Sequence, residues 1–308
     1  MHREVCKAIA DINKKVRQEE LLFLSSAPFE DLFVTNAGLF WNLPEAQTYM
    51  ETTYDAATAF WGAAFDSNVK QVWEKVLDLF LEHMRLGAND QMGARYQVPF
   101  LLIALNRDDD AFSFCQYWLK INEVVDSNPE TIFERHLHSR EGDWIYPREK
   151  DCRYLDPLPL IAGRDMQSLV LPFLVAFVII KLRIVAAHDS AVHCVKVALE
   201  GKSGQRIKEV QSLIEGMLTR KDINIDRQRE QIHELFDAIH LRNPSMLPAF
   251  INPMPLTMFP PSDFTPGHPS EVVKILMECQ KSFTEIPGAL EILKDRFGSS
   301  PVYNWDVR

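Results

Sequence analysis

Apolar residues recur at steps of three and four along most of this chain, which is the period of an amphipathic helix. The clearest run follows Asn68 and consists of Val69, Val72, Trp73, Val76, Leu79, Phe80 and Met84. No stretch of alternating apolar and polar residues adjoins a hairpin turn, as a pair of β-strands requires. The pattern therefore predicts an all-α protein.

Capping residues, acidic turns and prolines place the helix boundaries. Pro99 falls inside one predicted helix, where a proline is expected to bend the axis. The predicted helices are Met1–Leu24, Glu45–Tyr54, Thr52–Phe65, Asn68–Leu86, Asn89–Leu105, a helix after the acidic turn Asn106–Asp110, Asn128–Leu137, Met166–Leu199, Gln205–Thr219, Ile225–Leu241, Ser270–Phe283 and Pro287–Phe297.

Two stretches break the helical period but keep many apolar residues. The first, "HSREGDWIYPREKDCRYLDPLPLIAGRD", contains too much Trp, Ile, Tyr and Leu for a solvated linker. The second, the proline-rich Leu247–Ser270, is expected to lie irregularly on a helical surface. We therefore predict an N-terminal helical region at residues 1–138, an ordered and packed connector at 139–165, and a C-terminal helical bundle at 166–308.

The most apolar stretch, Leu169–Ala187, raises the question of a membrane span. Its uncharged part ends at Ile180, because Lys181 and Arg183 follow. A spanning helix needs about 20 predominantly apolar residues. We interpret the stretch as a buried central helix, with Pro172 in the first turn, where a missing N–H costs little.

Charge and cysteine usage narrow the classes of partner. The 308 residues carry a formal net charge of −10, and an acidic surface repels both nucleic acid and anionic membranes. The five cysteines are widely spaced and form no CxxC pair, which favours a reducing compartment, the cytosol or nucleus. The N-terminus lacks the apolar core of a signal peptide. The expected partner is another protein, and no cofactor is predicted.

The segment "RLGANDQMGARYQVPFLLIALNRDDDAFSFCQYWL", Arg85–Leu119, has the organisation of a tetratricopeptide (TPR) helix pair. Such repeats are about 34 residues long, and here Ala111 is the small packing residue after an acidic turn. One and a half repeats fit before the pattern stops. A plain helical hairpin in a larger bundle is the other interpretation.

A peptide-binding TPR groove needs Lys, Arg or Asn on its lining helices. Arg95 and Asn106 are the candidates, because both are expected to lie in the helix that follows Asn89-Asp90, three turns apart.

A broader resemblance rests on "NAGLFWNLPEAQTYM", "HMRLGANDQMGARYQVPFLLIALNRDDDAFSFCQYW" and "TPGHPSEVVKILMECQKSFTEIPGAL". These stretches resemble a group of uncharacterised fungal proteins with a helical, TPR-like body, some of which carry a MYND-type zinc finger. The resemblance implies a fungal source and an interaction role. The finger's cysteine pairs are absent here, so the resemblance implies nothing that depends on zinc.

The cluster "HELFDAIH" is the most suggestive chemically. His233, Asp237 and His240 are spaced at four and three residues, so one helical face can hold all three. Two imidazoles and a carboxylate are a zinc or iron ligand set. The spacing differs from the HExxH of metalloproteases, and the other interpretation is an exposed polar stripe on an amphipathic helix.

Other motifs carry weaker signals. His136 and His138, with Cys152 downstream, need further ligands to form a site. Cys194 has no activating base nearby, and we expect it to be buried. "GKSGQR" lacks the glycine spacing of a phosphate-binding loop, and no G-x-S-x-G elbow is present.

Three functions are compatible with these observations. The leading hypothesis is a non-enzymatic interaction or scaffold protein, because helix pairs are present and a catalytic motif is not. A metal-dependent enzyme using His233, Asp237 and His240 is the second. A structural subunit of a larger assembly is the third.

Overall fold

Helices account for most of the chain, as the apolar period predicts. A computed structural model describes residues 2–26, 31–125, 149–164, 169–199, 208, 209, 212, 224–258 and 265–303. Within these ranges no β-strand occurs, and one isolated bridge joins Leu39 to Gly87. The all-α prediction is confirmed for the part of the chain that is described. The predicted helices Asn128–Leu137 and Gln205–Thr219 lie outside it, apart from isolated positions.

The chain divides into two compact units, Met1–Lys150 and Asp151–Arg308. The division falls inside the predicted connector 139–165, of which residues 149–164 are described. They contain two single 3-10 turns, Cys152–Tyr154 and Leu158–Leu160, with Cys152 and Ile161 buried.

The described helices of the N-terminal unit are α1 (His2–Ser26), α2 (Leu32–Thr35), α3 (Pro44–Ser67), α4 (Lys70–Leu86), α5 (Val98–Ala104) and α6 (Asp108–Val125). Helix α3 packs against both α1 and α4, and α5 packs against both α4 and α6. Aromatic rings meet where α1, α2 and α3 pack together with the turn before α3: Phe23, Phe33, Phe40 and Tyr49. Neighbours in sequence are therefore neighbours in space.

Helix α3 corrects one prediction. Residues 45–65 were expected to form two short helices, but Pro44–Ser67 is continuous. Pro44 lies in its first turn, and the left-handed residue Asn68 (φ 51°) ends it. No proline or other helix-breaking residue lies between these two ends. The Thr53 hydroxyl donates a hydrogen bond to the Met50 carbonyl of the same helix, so this threonine is accommodated in the helix interior.

The segment before α5 corrects a second prediction, that of a long helix Asn89–Leu105. Asp90 does not begin a long helix. Its carboxylate accepts hydrogen bonds from the N–H groups of Ala94 (2.7 Å) and Arg95 (3.0 Å), and so caps a single 3-10 turn. Helix α5 starts only at Val98 and has seven residues. Pro99 therefore lies in the first turn, where its missing N–H is harmless, and bends nothing.

The described helices of the C-terminal unit are α7 (Leu171–Leu199), α8 (Ile225–Arg242), α9 (Met246–Ile251), α10 (Met254–Thr257), α11 (Pro269–Thr284) and α12 (Ala289–Phe297). Helix α7 packs along α8, while α11 packs against α9, α10 and α12. The expected irregular strip after Pro244 contains the short helices α9 and α10 instead. Their apolar residues, including Phe250 and Leu256, are buried.

Helix α7 is the central apolar helix of this unit. Its first half, including Phe173, Phe177 and Ile180, is almost wholly buried. Leu171–Val197 is long and apolar enough to cross a membrane by length and composition. An 18-residue stretch of it has a mean hydropathy of 2.0, but 72% of that stretch is buried within the protein. This burial favours a core helix. Length alone did not distinguish the two, because the helix continues beyond Lys181.

Candidate functional site

An open groove of about 520 Å³ lies in the C-terminal unit between α7, α8 and α12. Its lining residues are Val185, Arg229, Ile232, His233, Phe236, Ile292, Asp295 and Arg296. Ile232 and Phe236 are one turn apart on α8, so their side chains share a face and form an apolar floor. Side chains from three helices thus surround one apolar depression, as in sites that take up a ligand or partner side chain.

Two arginines on the rim are held in place by carboxylates. Arg229 of α8 donates to Asp189 of α7 at 2.5 Å, and Arg296 of α12 donates to Asp237 of α8. The Arg296 guanidinium also lies 6.0 Å from the centre of the Phe236 ring. These contacts orient both guanidinium groups at the rim of the groove.

Asp189 carries the clearest electrostatic effect near the groove. Partial burial raises the pKa of Asp189. Hydrogen bonds from Arg229 and His188 lower it by a larger amount, so the net shift is downward. The carboxylate therefore stays ionised at neutral pH and keeps Arg229 in position.

The predicted metal ligands do not converge. His233, Asp237 and His240 are all exposed on α8. The Asp237 carboxylate binds Arg296, and the His240 ring lies against Phe297, with ring centres 5.6 Å apart. Among the residues that the structure describes, no group of three His, Cys, Asp or Glu side chains is placed to hold a metal ion. The geometry favours the exposed polar stripe.

The predicted peptide-binding pair does not share a helix. Arg95 lies in the 3-10 turn before α5, and Asn106 follows α5 in a left-handed conformation (φ 57°). The Arg95 guanidinium lies 4.9 Å from the Tyr96 ring centre and 5.2 Å from that of Trp118, and its Nε is 3.6 Å from the Asp90 carboxylate. Arg95 is thus engaged within its own unit. The binding role remains a prediction.

The described cysteines divide into buried and exposed groups. Cys115 and Cys279 are wholly buried, and burial raises the pKa of both thiols well above the ordinary value, so they remain protonated. Cys194 is exposed near the end of α7, contrary to the expectation that it is buried. His136 and His138 lie outside the described residues.

A buried lysine is the most perturbed basic group. Lys181 of α7 has no exposed surface, and its ammonium donates to the carbonyls of Arg153 (2.9 Å) and Leu155 (2.6 Å) and to Gln228 Oε1 (2.8 Å). Three acceptors match the three N–H groups of an ammonium. Removal from water lowers the pKa of Lys181 to about 7, although the Asp156 carboxylate opposes that shift.

The surroundings of Lys181 are a network of side chains that holds the 152–160 segment. Arg227 donates to Asp156 at 2.7 Å, and Gln228 Nε2 donates to the Tyr154 carbonyl at 2.9 Å. Burial raises the pKa of Asp156, but the hydrogen bonds from Arg227 and the Leu158 N–H, together with the charge of Arg227, lower it by more, so the net shift is downward. Perturbed lysines of this kind occur at active sites. Here the amine has no exposed surface and donates to backbone carbonyls. Lys181 therefore has a structural role: it holds the 152–160 segment against α7.

Sequence reasoning missed both features. The groove combines residues 185 to 296, which only the packing of three helices brings together. Lys181 did carry a signal, since it is a lone cation within an apolar run, but the run was interpreted as ending there. No protein-family model, no curated protein sequence and no solved structure matches this chain significantly.

Proposed function

We propose that this chain is a non-enzymatic protein-interaction module, and that the groove between α7, α8 and α12 receives an apolar side chain of its partner. The observation that carries the proposal is a depression lined by Ile232, Phe236 and Ile292, with the oriented Arg229 and Arg296 at its rim. Arginine and aromatic residues around a depression are typical of protein–protein binding sites. The net charge of −10 makes a protein a better partner than nucleic acid or an anionic membrane.

The helix packing of the N-terminal unit supports the same function and suggests a more specific, TPR-like arrangement. Helices α3 and α4, and then α5 and α6, form consecutive packed pairs, as in TPR-like arrays. The seven-residue α5 is shorter than a repeat helix, so we propose a degenerate, TPR-like pair rather than a full repeat. The widely spaced cysteines support a role in the cytosol or nucleus.

The alternative of a metal-dependent enzyme on α8 has less support, because Asp237 is paired with Arg296. A structural subunit of a larger assembly uses the same kind of surface. The structural-subunit alternative predicts a different experimental result: size-exclusion chromatography of native extract would place all of the protein in one high-mass species.

Capture of partners by the full chain with Ile292→Glu tests the proposal. Ile292 is half-buried in the groove wall, so a carboxylate there opposes an apolar partner side chain without emptying the core. The matched control is Met277→Glu, an equally drastic change at an exposed position of α11 (62% exposed) outside the groove lining. Quantitative mass spectrometry compares proteins captured by the wild type and by each variant.

We expect at least one protein whose recovery falls about tenfold or more with Ile292→Glu and is unchanged with Met277→Glu. Circular dichroism confirms that both variants keep their helix content. Equal capture by the wild type and Ile292→Glu would overturn the groove as the binding site.

A further inference from the structure

Among the buried ring nitrogens of the N-terminal unit, two neighbouring ones form no hydrogen bond within the described residues. They are Nε1 of Trp41 and Nε2 of His83. The two side chains are 7% and 1% exposed, so bulk solvent does not satisfy them. An unpaired polar group in a protein interior costs about 1–3 kcal/mol, and native structures rarely leave two together.

The hydrogen bonds of Thr53 favour one tautomer of the His83 imidazole. The hydroxyl has a single hydrogen, and the shorter contact, 2.8 Å, is with the Met50 carbonyl. The hydroxyl oxygen therefore accepts from His83 Nδ1 at 3.2 Å. Nε2 is then a lone-pair acceptor, because a neutral imidazole has one donor and one acceptor. Trp41 Nε1–H is always a donor.

The Trp41 ring, from the turn Phe40–Asn42, lies against the last turn of α4, on the face that carries His83. Gly87 follows His83 by four residues, and a Cβ atom on Gly87 would lie 2.5 Å from Trp41 Nε1. Residues four apart on a helix are stacked on one face. The Trp41 and His83 rings meet edge to face, with centres 6.0 Å apart. A donor and an acceptor thus belong to two buried rings in contact with each other.

We propose that Trp41 Nε1–H and His83 Nε2 form an internal binding site for a single water molecule, which accepts from the indole and donates to the imidazole. Buried waters make between two and four hydrogen bonds to polar groups of this kind. The site is independent of the groove in the C-terminal unit. It assigns the pair a role in holding the turn Phe40–Asn42 against the end of α4.

Nuclear magnetic resonance of the full chain at neutral pH tests the site. We expect the Trp41 indole proton to show a direct rotating-frame Overhauser effect at the water frequency. Contacts of that proton with the Gly87 α-protons assign it without any substitution, since the indole lies against Gly87. Long-range ¹H–¹⁵N spectra should show His83 as the Nδ1–H tautomer.

Two substitutions of Thr53 check the tautomer argument. Thr53→Val removes the acceptor for Nδ1–H, so the Nε2–H tautomer should become populated; Thr53→Ser keeps the hydroxyl and should retain the wild-type tautomer. Absence of the water effect, a scalar coupling directly between Trp41 Nε1 and His83 Nε2, or an Nε2–H tautomer in the wild type would each overturn the proposal.

Discussion

At the scale of single residues, burial decides which groups matter. Lys181, His83 and Gly87 are ordinary residue types, and their importance comes from what surrounds them. Each predicts a measurable effect on stability.

Lys181 predicts a rise in stability with pH. Its pKa is about 7 in the folded chain and 10.5 for an exposed lysine, so between these values the unfolded state binds more protons. Stability from this residue is therefore lost as pH falls towards 7 and gained as pH rises towards 10.5. The free energy of unfolding of the wild type minus that of Lys181→Met should rise across this window, by up to about 5 kcal/mol.

Urea unfolding of both proteins at several pH values gives that difference. Lys196→Met, at an exposed position of the same helix, is the matched control. A difference that stays flat or falls with pH would contradict the assignment of Lys181 as a desolvated cation.

His83 predicts sensitivity to acid in the N-terminal unit. Removal from water lowers its pKa from 6.5 to about 4, so the folded state disfavours the imidazolium. Stability is complete above pH 6.5 and falls as pH drops towards 4, by on the order of 3 kcal/mol. His83→Gln does not titrate, so its stability should fall less over the same range. Parallel acid titrations of the two proteins by circular dichroism would show no difference if His83 were solvated.

Gly87 predicts a steric effect. A Cβ atom there would lie 2.5 Å from the Trp41 ring and 2.7 Å from the Met50 methyl, so Gly87→Ala should destabilise the chain by about 1–3 kcal/mol. Gly62 is the matched control, since it lies in the interior of α3 with nothing within 4 Å of the same position. Gly62→Ala should stabilise by about 0.5–1 kcal/mol. Thermal melts that rank the two variants the other way would refute this account.

At the scale of elements, hydrogen bonds between helices fix positions that apolar packing leaves loose. The end of α8 meets the start of α11 through Arg242 and Glu271. Both guanidinium NH groups donate to the carboxylate, at 2.9 and 3.2 Å, and Arg242 Nε donates to the Leu169 carbonyl. The side chains are only 9% and 16% exposed, so each charge depends on the other.

Removing one partner of this pair should therefore cost more than removing the charge of both. We expect Arg242→Met to destabilise the chain by about 3–5 kcal/mol, because the Glu271 carboxylate is left without its cation. Adding Glu271→Gln to that variant should recover part of the loss. A double-mutant cycle by chemical denaturation measures the coupling, and strictly additive effects would contradict a paired role.

Element boundaries also show where sequence reasoning succeeds. The predicted bounds of α4 and α8 differ from the observed ones by no more than two residues, because an unbroken apolar stripe and clear end signals mark both. The prediction for α5 was wrong because Asp90 caps a 3-10 turn with its side chain. Local sequence does not distinguish that turn from the first turn of a helix.

At the scale of the whole molecule, each unit has its own buried core. Contacts cluster within Met1–Lys150 and within Asp151–Arg308. We predict that the two fragments, produced separately, each keep a cooperative thermal transition and a helical circular dichroism spectrum. A fragment with a coil spectrum would show that its core requires the other unit.

The sequence by itself determined the helical class, the central helix α7 and most of the long helices, because these depend on the period of apolar residues along one segment. Tertiary structure alone decided the groove, the burial of Lys181 and His83, and the Arg242–Glu271 pair. Each of these joins residues that are distant in the chain, and no local pattern records which helix faces will meet. The HELFDAIH cluster shows the same limit. Side chains spaced along one face of a helix can bind a metal ion only if a second element brings further ligands to the same place.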